Sequence, residues 1–439
     1  MRANNRTILS AIEVGGFKSA IEPVTVRLRD LTVLAGQNSA GKSTVVQPLL
    51  LIKQTMEKPF DVGGLAIDGP LVQFTSTDQF LSHTSGGRTN DFFLKMSSDT
   101  GAYVTMFYKK VTDRGIIIDR MEFVAEGKHQ CWRENDTLPA DALGLPKNII
   151  DVFKRAADGF VVRRERAMLV AGIKATKDDP VPIGLALSPA HAFVDNATKL
   201  IHLPGLRGNP ERNYRITAIE SKYPGNFSEY VASIIYGWQN TRDPKLPLLA
   251  QNLKELGLTW KVQTRPIDDT RVEILVGRLP AAIRGGARDT ISIADVGFGV
   301  SQTLPVLVAL LAASPGQFVF IEQPEIHLHP KAQVGLATLL LESINRGARV
   351  IVETHSSLLV LALQEIIAEG KLDPARVSMN WFTRDANNGT TRVNEATVGA
   401  DGSYGEWPSD FGSVELELQA RYLNSVDSRA ALRQSAKTH

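Results

Sequence analysis

Residues Gly36-Gln37-Asn38-Ser39-Ala40-Gly41-Lys42-Ser43 fit the pattern G-x-x-x-x-G-K-[ST], and no other stretch restricts the fold as much. The pattern needs a strand running in and a helix running out. Both are predicted. Leu31 to Leu34 is a short apolar strand, and Lys42 to Gln54 sets Val45, Val46, Leu49, Leu50 and Ile52 at helical spacing. Gly36 and Gly41 let the backbone curl, so that the N–H groups between them (Gln37, Asn38, Ser39, Ala40) converge on a phosphate. The helix opening at Lys42 adds the positive end of its dipole. Lys42 is then placed for β/γ phosphates, Ser43 for Mg²⁺ and Thr44 for an α-phosphate. ATP and Mg²⁺ are the ligands expected.

The chain has 439 residues, room for two or three domains at roughly 150 residues each. Hydrophobic residues at 43% and charged residues at 22% exclude a disordered or fibrous class. Lysine plus arginine is 49 against 47 aspartate plus glutamate, so a nucleic-acid contact would need a local patch. Cys131 is the single cysteine. It excludes an internal disulfide and a multi-cysteine zinc site, and fits a reducing compartment. The first residues have no apolar core of signal-peptide length. The longest apolar run, Leu304 to Ala313, is broken by Pro305 and is about half of what a membrane span needs. A cytoplasmic protein with no membrane contact is expected.

Ile8 to Val14 and Val24 to Leu28 read as strands, and Phe92 to Met96, Tyr103 to Tyr108 and Ile116 to Val124 as a meander. From 131 to 262 helical stretches (Ile149 to Ala157, Glu229 to Tyr236, Leu248 to Leu256) alternate with proline- and glycine-rich loops, which suggests an insertion. From 263 to 439 strands and helices alternate again. Three parts are expected, 1–130, 131–262 and 263–439. In the last, Phe318 to Ile321 and Val350 to Val352 read as buried parallel strands separated by a helix at Lys331 to Asn345.

The strand ending at Glu322 places a carboxylate where a P-loop ATPase keeps the acid that holds Mg²⁺ through water. Gln323 follows, and an amide can orient a water but cannot take its proton. Either turnover is slow, or Glu325 supplies the base; of the two, Glu325 is the preferred candidate. His327 and His329 alternate as strand neighbours would, but with no further histidine or cysteine nearby they make a poor zinc site.

The segment "IEVGGFKSAIEPVTVRLRDLTVLAGQNSAGKSTVVQPL" resembles the N-terminus of the ABC-type ATPases related to RecF, SMC and OLD proteins, and the resemblance returns at Ile291–Ser357. Gln323 to Pro330 is similar to the D-E-P-E-x-x-L-H-P block of the RecF/OLD group, with Glu322 and Gln323 as departures. The resemblance implies an α/β P-loop NTPase: an ABC-ATPase-like head with a mixed sheet, an antiparallel β-subdomain and a mainly helical insertion. It makes His355 a switch histidine that contacts the γ-phosphate. It also makes Ser292 to Gln302 a divergent signature, with Gly299 and Ser301 touching the nucleotide of a second chain, so a homodimer closed by ATP is implied. OLD nucleases add a Toprim domain; no D-x-D follows His355, so no intrinsic nuclease is expected. The tail Gly402 to Leu423 resembles the ends of RecF-like AAA proteins.

The expected function is an ATPase that dimerises on ATP and switches a separate effector, a nuclease or toxin, in anti-phage defence or DNA repair. The alternative is a nucleotide-gated scaffold or DNA-binding protein with negligible turnover, for which Gln323 is the main support. Lys154, Arg155, Arg163, Arg164 and Arg166 form a basic cluster that could track DNA, although a solvated face is the simpler reading. Leu206 to Arg212 reads as a turn.

Overall fold

The computed structural model describes residues 8–84, 86–125, 127–139, 160–173, 187–218, 222–278, 289–405 and 418–426. Its centre is a six-stranded sheet in the order Ile201–Leu203, Phe318–Glu322, Arg349–Thr354, Leu31–Gly36, Val377–Arg384 and Thr391–Ala396. All neighbours are parallel except the last pair, which is antiparallel. The strands Leu31–Gly36 and Arg349–Thr354 are buried at every position. That is why they are continuous apolar runs and not alternating ones. Helices cover the sheet: Lys42–Met56, Phe298–Ala312, Pro330–Asn345 and Ser357–Ala368. Each fully buried Val, Leu or Ile in this core contributes roughly 1.5–3 kcal/mol.

A second, antiparallel six-stranded sheet runs in the order Val24–Arg27, Leu9–Gly15, Asp91–Ser98, Tyr103–Val111, Gly115–Ala125 and Lys128–Arg133. The meander expected from sequence is its larger part. Asp91–Ser98 alternates buried and less buried residues, the period of a strand with one face on the core. Phe17, Phe74, Phe80 and Phe92 pack ring against ring beneath it, with Phe17 to Phe92 centroids 5.2 Å apart. These contacts fix the turn after Leu9–Gly15, and that turn carries Lys18 and Ser19.

Within the stretch 131–262, one strand pairs into the central sheet and others form smaller sheets. Ile201–Leu203 is an edge strand of the central sheet, with His202 opposite Phe320 and Leu203 opposite Ile321. Phe160–Glu165 and Met168–Ile173 form an antiparallel hairpin. The helices Val231–Thr241 and Lys245–Glu255 replace the expected Glu229 to Tyr236 and Leu248 to Leu256, with a 3-10 turn over Phe227–Tyr230. The expected helix Ile149 to Ala157 lies outside the described residues. A further small sheet pairs Arg271–Gly277 with Val262–Asp268, Tyr214–Arg215 and Thr290–Ser292. Among the described residues no helix is long and apolar enough to cross a membrane.

Candidate functional site

The loop Gly36 to Ser43 leaves the central strand and enters the helix Lys42–Met56 as predicted. Gly36 and Gly41 both take positive φ, 147° and 95°. A Cβ at Gly36 would collide with the Phe382 carbonyl, and one at Gly41 with the hydroxyl of Thr391. Only glycine fits both the conformation and the space. Thr391 braces the loop: its Oγ1 donates to the Ala40 carbonyl at 2.9 Å and lies 2.7 Å from Ser19 Oγ. The turn Gly16 to Ser19 therefore supports the phosphate loop directly.

The loop opens on a cavity of about 650 Å³ lined by Lys18, Lys42, Ser43, Gln323, Glu353 and His355, among others. Lys42 Nζ donates to the Gly36 carbonyl at 3.1 Å and the Gln37 carbonyl at 2.7 Å. Burial lowers the pKa of Lys42, against the charges of Glu353 and Glu325. Burial also lowers that of Lys18, a second cavity cation that sequence reasoning passed over as part of a turn. His355 hydrogen-bonds the Gly36 backbone, and burial together with the Lys42 charge keeps its pKa below the usual imidazole value. Asn38, Ser39 and Thr44 line the same cavity.

Two carboxylates, Glu322 and Glu353, stand in register on the acidic side of the site. Glu322 ends its strand as predicted, but its oxygens are taken by His202 Nε2 at 3.0 Å and the Gly205 N–H at 3.3 Å. Burial raises the Glu322 carboxyl, yet the bond to His202, the Gly205 N–H and Arg207 outweigh it and leave it below its ordinary value. The acid bonded to Ser43 is Glu353: Ser43 Oγ donates to Glu353 Oε2 at 2.7 Å. Glu353 is 6% exposed. Burial, with Glu322 and Glu325 adding negative charge, pushes it up to about 7, against the Ser43 bond and Lys42.

Gln323 and Glu325 also part company. Gln323 lines the cavity, sits at a positive φ of 44° and donates its N–H to the Glu353 carbonyl at 2.7 Å. Glu325 Oε1 accepts from Thr354 Oγ1 and from the His355 N–H, both at 2.8 Å. That bond ties the loop after Glu322 to the strand end carrying His355. Neither Glu322 nor Glu325 is among the described residues lining the cavity. His329 caps the helix Pro330–Asn345 by accepting from the Lys331 N–H. Among the described residues no group of three or more His, Cys, Asp or Glu is placed to hold a metal alone.

Gly299 and Ser301 stand in the first turn of the helix Phe298–Ala312, and neither lines the phosphate-loop cavity. Ser301 lines a separate cavity of about 510 Å³ with Arg207. The segment read as a simple turn, Leu206 to Arg212, clamps this helix to the strand ending at Glu322. Arg207 Nη2 donates to the Glu322 carbonyl at 2.8 Å and Nη1 to the Gln302 carbonyl at 3.2 Å. Gln302 Nε2 returns a bond to the Gly208 carbonyl at 2.7 Å. Burial brings the Arg207 guanidinium down to about 10, against the pull of Glu325 and Glu322. In the basic cluster, Arg164 pairs with Asp61 at 3.1 Å and Arg166 donates to the Met56 carbonyl. Lys154 and Arg155 lie outside the described residues.

A family model described as "AAA domain, putative AbiEii toxin, Type IV TA system" matches residues 272–362. That stretch holds the signature-like helix, the Glu322 strand and the His355 strand. The loop Gly36 to Ser43 between a buried parallel strand and a helix gives the chain an α/β P-loop fold. No curated protein matches the chain. Among solved structures it is similar to an SMC head domain from Thermotoga maritima, at 12% identity and a TM-score of 0.39, covering 88% of this chain and 98% of that one. A second is an SMC head bound to the C-winged helix domain of ScpA, at 12% identity and a TM-score of 0.43, covering 89% and 98%. A third is an SMC head with an extended coiled coil bound to the C-terminal domain of ScpA from Pyrococcus furiosus, at 11% identity and a TM-score of 0.42, covering 96% and 99%.

The buried Glu353 makes the stability of the fold depend on pH. In metal-free protein the folded state keeps a proton on Glu353 that the unfolded chain releases above about 4.5, so stability falls as pH rises from about 4.5 through about 7. Glu353→Gln is expected to remove this slope and to stabilise the metal-free protein at pH 8 by on the order of 2–3 kcal/mol. Denaturant melts in EDTA at pH 5 and pH 8 test this. Parallel losses of stability in both proteins would contradict it.

Proposed function

We propose that this chain binds ATP with Mg²⁺, hydrolyses it slowly, and uses the bound state to close against a second copy of itself. The observation that carries the reading is the meeting of Lys42, Ser43, Gln323 and His355 in one cavity at the ends of the central strands. Lys42 supplies positive charge for the β/γ phosphates, and the loop N–H groups orient them. The hydroxyl of Ser43 and a carboxylate are hard oxygen donors that suit Mg²⁺, which takes one or two carboxylates and completes its shell with phosphate and water. When bound, Mg²⁺ neutralises charge on the phosphates. Gln323, pinned by its backbone bond to Glu353, holds the attacking water without accepting its proton. His355 sits where it would feel the γ-phosphate.

The dimer is argued from the signature-like helix. Gly299 and Ser301 lie outside their own chain's cavity, so they would complete the site of another chain, and two sites need two chains. The effector we assign is a separate nuclease or toxin, acting in anti-phage defence or DNA repair; the family match to a model named for a toxin–antitoxin system supports the defence setting. ATP with Mg²⁺ is expected to increase the dimer fraction, because a ligand held across an interface stabilises it by mass action. Ser301→Arg should prevent closure while the single chain still binds ATP. Light scattering together with a distance probe between the two heads tests this. Equal mass and equal head separation with and without ATP would overturn it.

The second reading is a nucleotide-gated scaffold with negligible turnover. It is favoured by one observation, an amide where a carboxylate would face the water. Steady-state phosphate release, with and without DNA, separates the two.

A further inference from the structure

We propose that Glu353 is the carboxylate that completes the divalent-cation position at Ser43, and that Glu322 is its neighbour one strand further away. The inference rests on the nucleotide-site reading above. It reassigns the metal-holding acid from the residue that the sequence pattern singles out.

Strand order is the first support. Arg349–Thr354, which carries Glu353, pairs directly with the phosphate-loop strand Leu31–Gly36. Phe318–Glu322 pairs on the far side of it, with Glu322 in register with Glu353. Adjacent strands lie about 4.8 Å apart, so Glu322 starts one strand further from Ser43. Bonding is the second support. Ser43 Oγ donates to Glu353 Oε2 at 2.7 Å, whereas both Glu322 oxygens are engaged by His202 and the Gly205 N–H. His202 is held in turn: it is 4% exposed, and its ring stacks on Phe320 with centroids 5.3 Å apart. Turning Glu322 toward Ser43 would leave His202 Nε2 buried without its partner.

Access is the third support. Glu353 lines the cavity beside Lys42, Ser43 and His355, and Glu322 is not among the described lining residues. The donor set also explains why no cluster of three metal-binding side chains is found among the described residues. A hydroxyl and one carboxylate are too few to hold a cation alone, but enough for Mg²⁺ that arrives with phosphate oxygens and keeps its waters. The bland alternative is that Glu353 merely caps Ser43. The two roles separate in how Mg²⁺ changes nucleotide affinity.

The experiment is calorimetric titration of ATP into the full chain, once with Mg²⁺ and once with EDTA. Wild type, Glu353→Gln and Glu322→Gln are compared, after thermal melts show that each is folded. In wild type, Mg²⁺ should tighten ATP binding at least tenfold. Glu353→Gln should lose that gain while its affinity in EDTA stays within threefold of wild type. Glu322→Gln should keep most of the gain. Glu353→Asp, which keeps the charge on a shorter arm, serves if the glutamine variant does not fold, and should retain only part of the Mg²⁺ effect. The proposal is overturned if Glu353→Gln responds to Mg²⁺ as wild type does, or if Glu322→Gln alone loses the response. A wild-type chain that binds no ATP in either medium would overturn the nucleotide site itself, an outcome distinct because the EDTA arm fails as well.

Discussion

Gln323→Glu is expected to raise steady-state ATP turnover by roughly 10² to 10⁴, the range that a positioned general base contributes. The side chain lines the cavity and its backbone is pinned, with φ at 44° and its N–H on the Glu353 carbonyl at 2.7 Å. Pro324 follows and restricts the turn further. The substitution changes an amide to a carboxylate of nearly the same shape, so the water stays where it is and gains a proton acceptor. Phosphate release under saturating ATP is the readout. Unchanged release with intact ATP binding would mean that the proton is taken elsewhere. Glu325→Gln then decides: if Glu325 is the base, turnover disappears while ATP still binds. The bonds from Thr354 and the His355 N–H to Glu325 Oε1 favour a supporting role for it instead.

Lys42→Ala should weaken ATP binding at least tenfold, on the order of 1.4 kcal/mol. The ammonium stands at the Gly36 and Gln37 carbonyls, within the loop proposed to receive the phosphates. Lys18 lines the same cavity but belongs to a different turn, braced through Ser19 and Thr391, so it does not replace a charge seated inside the loop. The variant should fold. The lost ammonium is a buried charge, and removing it lifts a desolvation cost that already lowers its pKa. Equal ATP affinity in the two proteins would contradict the phosphate-loop reading.

The parts of the molecule legible in the sequence are those whose chemistry is contiguous. Gly36 to Ser43 forms one loop between one strand and one helix, and all of its geometry follows from neighbouring residues. Phe318 to Ile321 and Val350 to Val352 read as parallel strands because burial on both faces forces unbroken apolar runs. Residues whose role comes from distant contacts were not legible. Arg207 sat in a glycine- and proline-rich turn, and its bonds to Glu322 and Gln302 span about a hundred positions of sequence. Ile201–Leu203 is three residues long, too short to show a period. With that strand unseen, His202 could not be set beside Glu322. Glu353 did leave a signal: Val350-Ile351-Val352-Glu353 repeats the form of Phe318-Val319-Phe320-Ile321-Glu322, an apolar strand ending in an acid. Two such endings in one parallel sheet place two carboxylates side by side, and only strand order tells which one meets Ser43.

Equilibrium titration of the purified chain with ATP in Mg²⁺, alongside Lys42→Ala, decides whether the cavity is a nucleotide site. Saturable binding of a single nucleotide per chain, competed by ADP and weakened at least tenfold in the variant, is the expected result. A wild-type chain that shows no saturable binding at millimolar ATP, or one that binds it no better than Lys42→Ala, would contradict it.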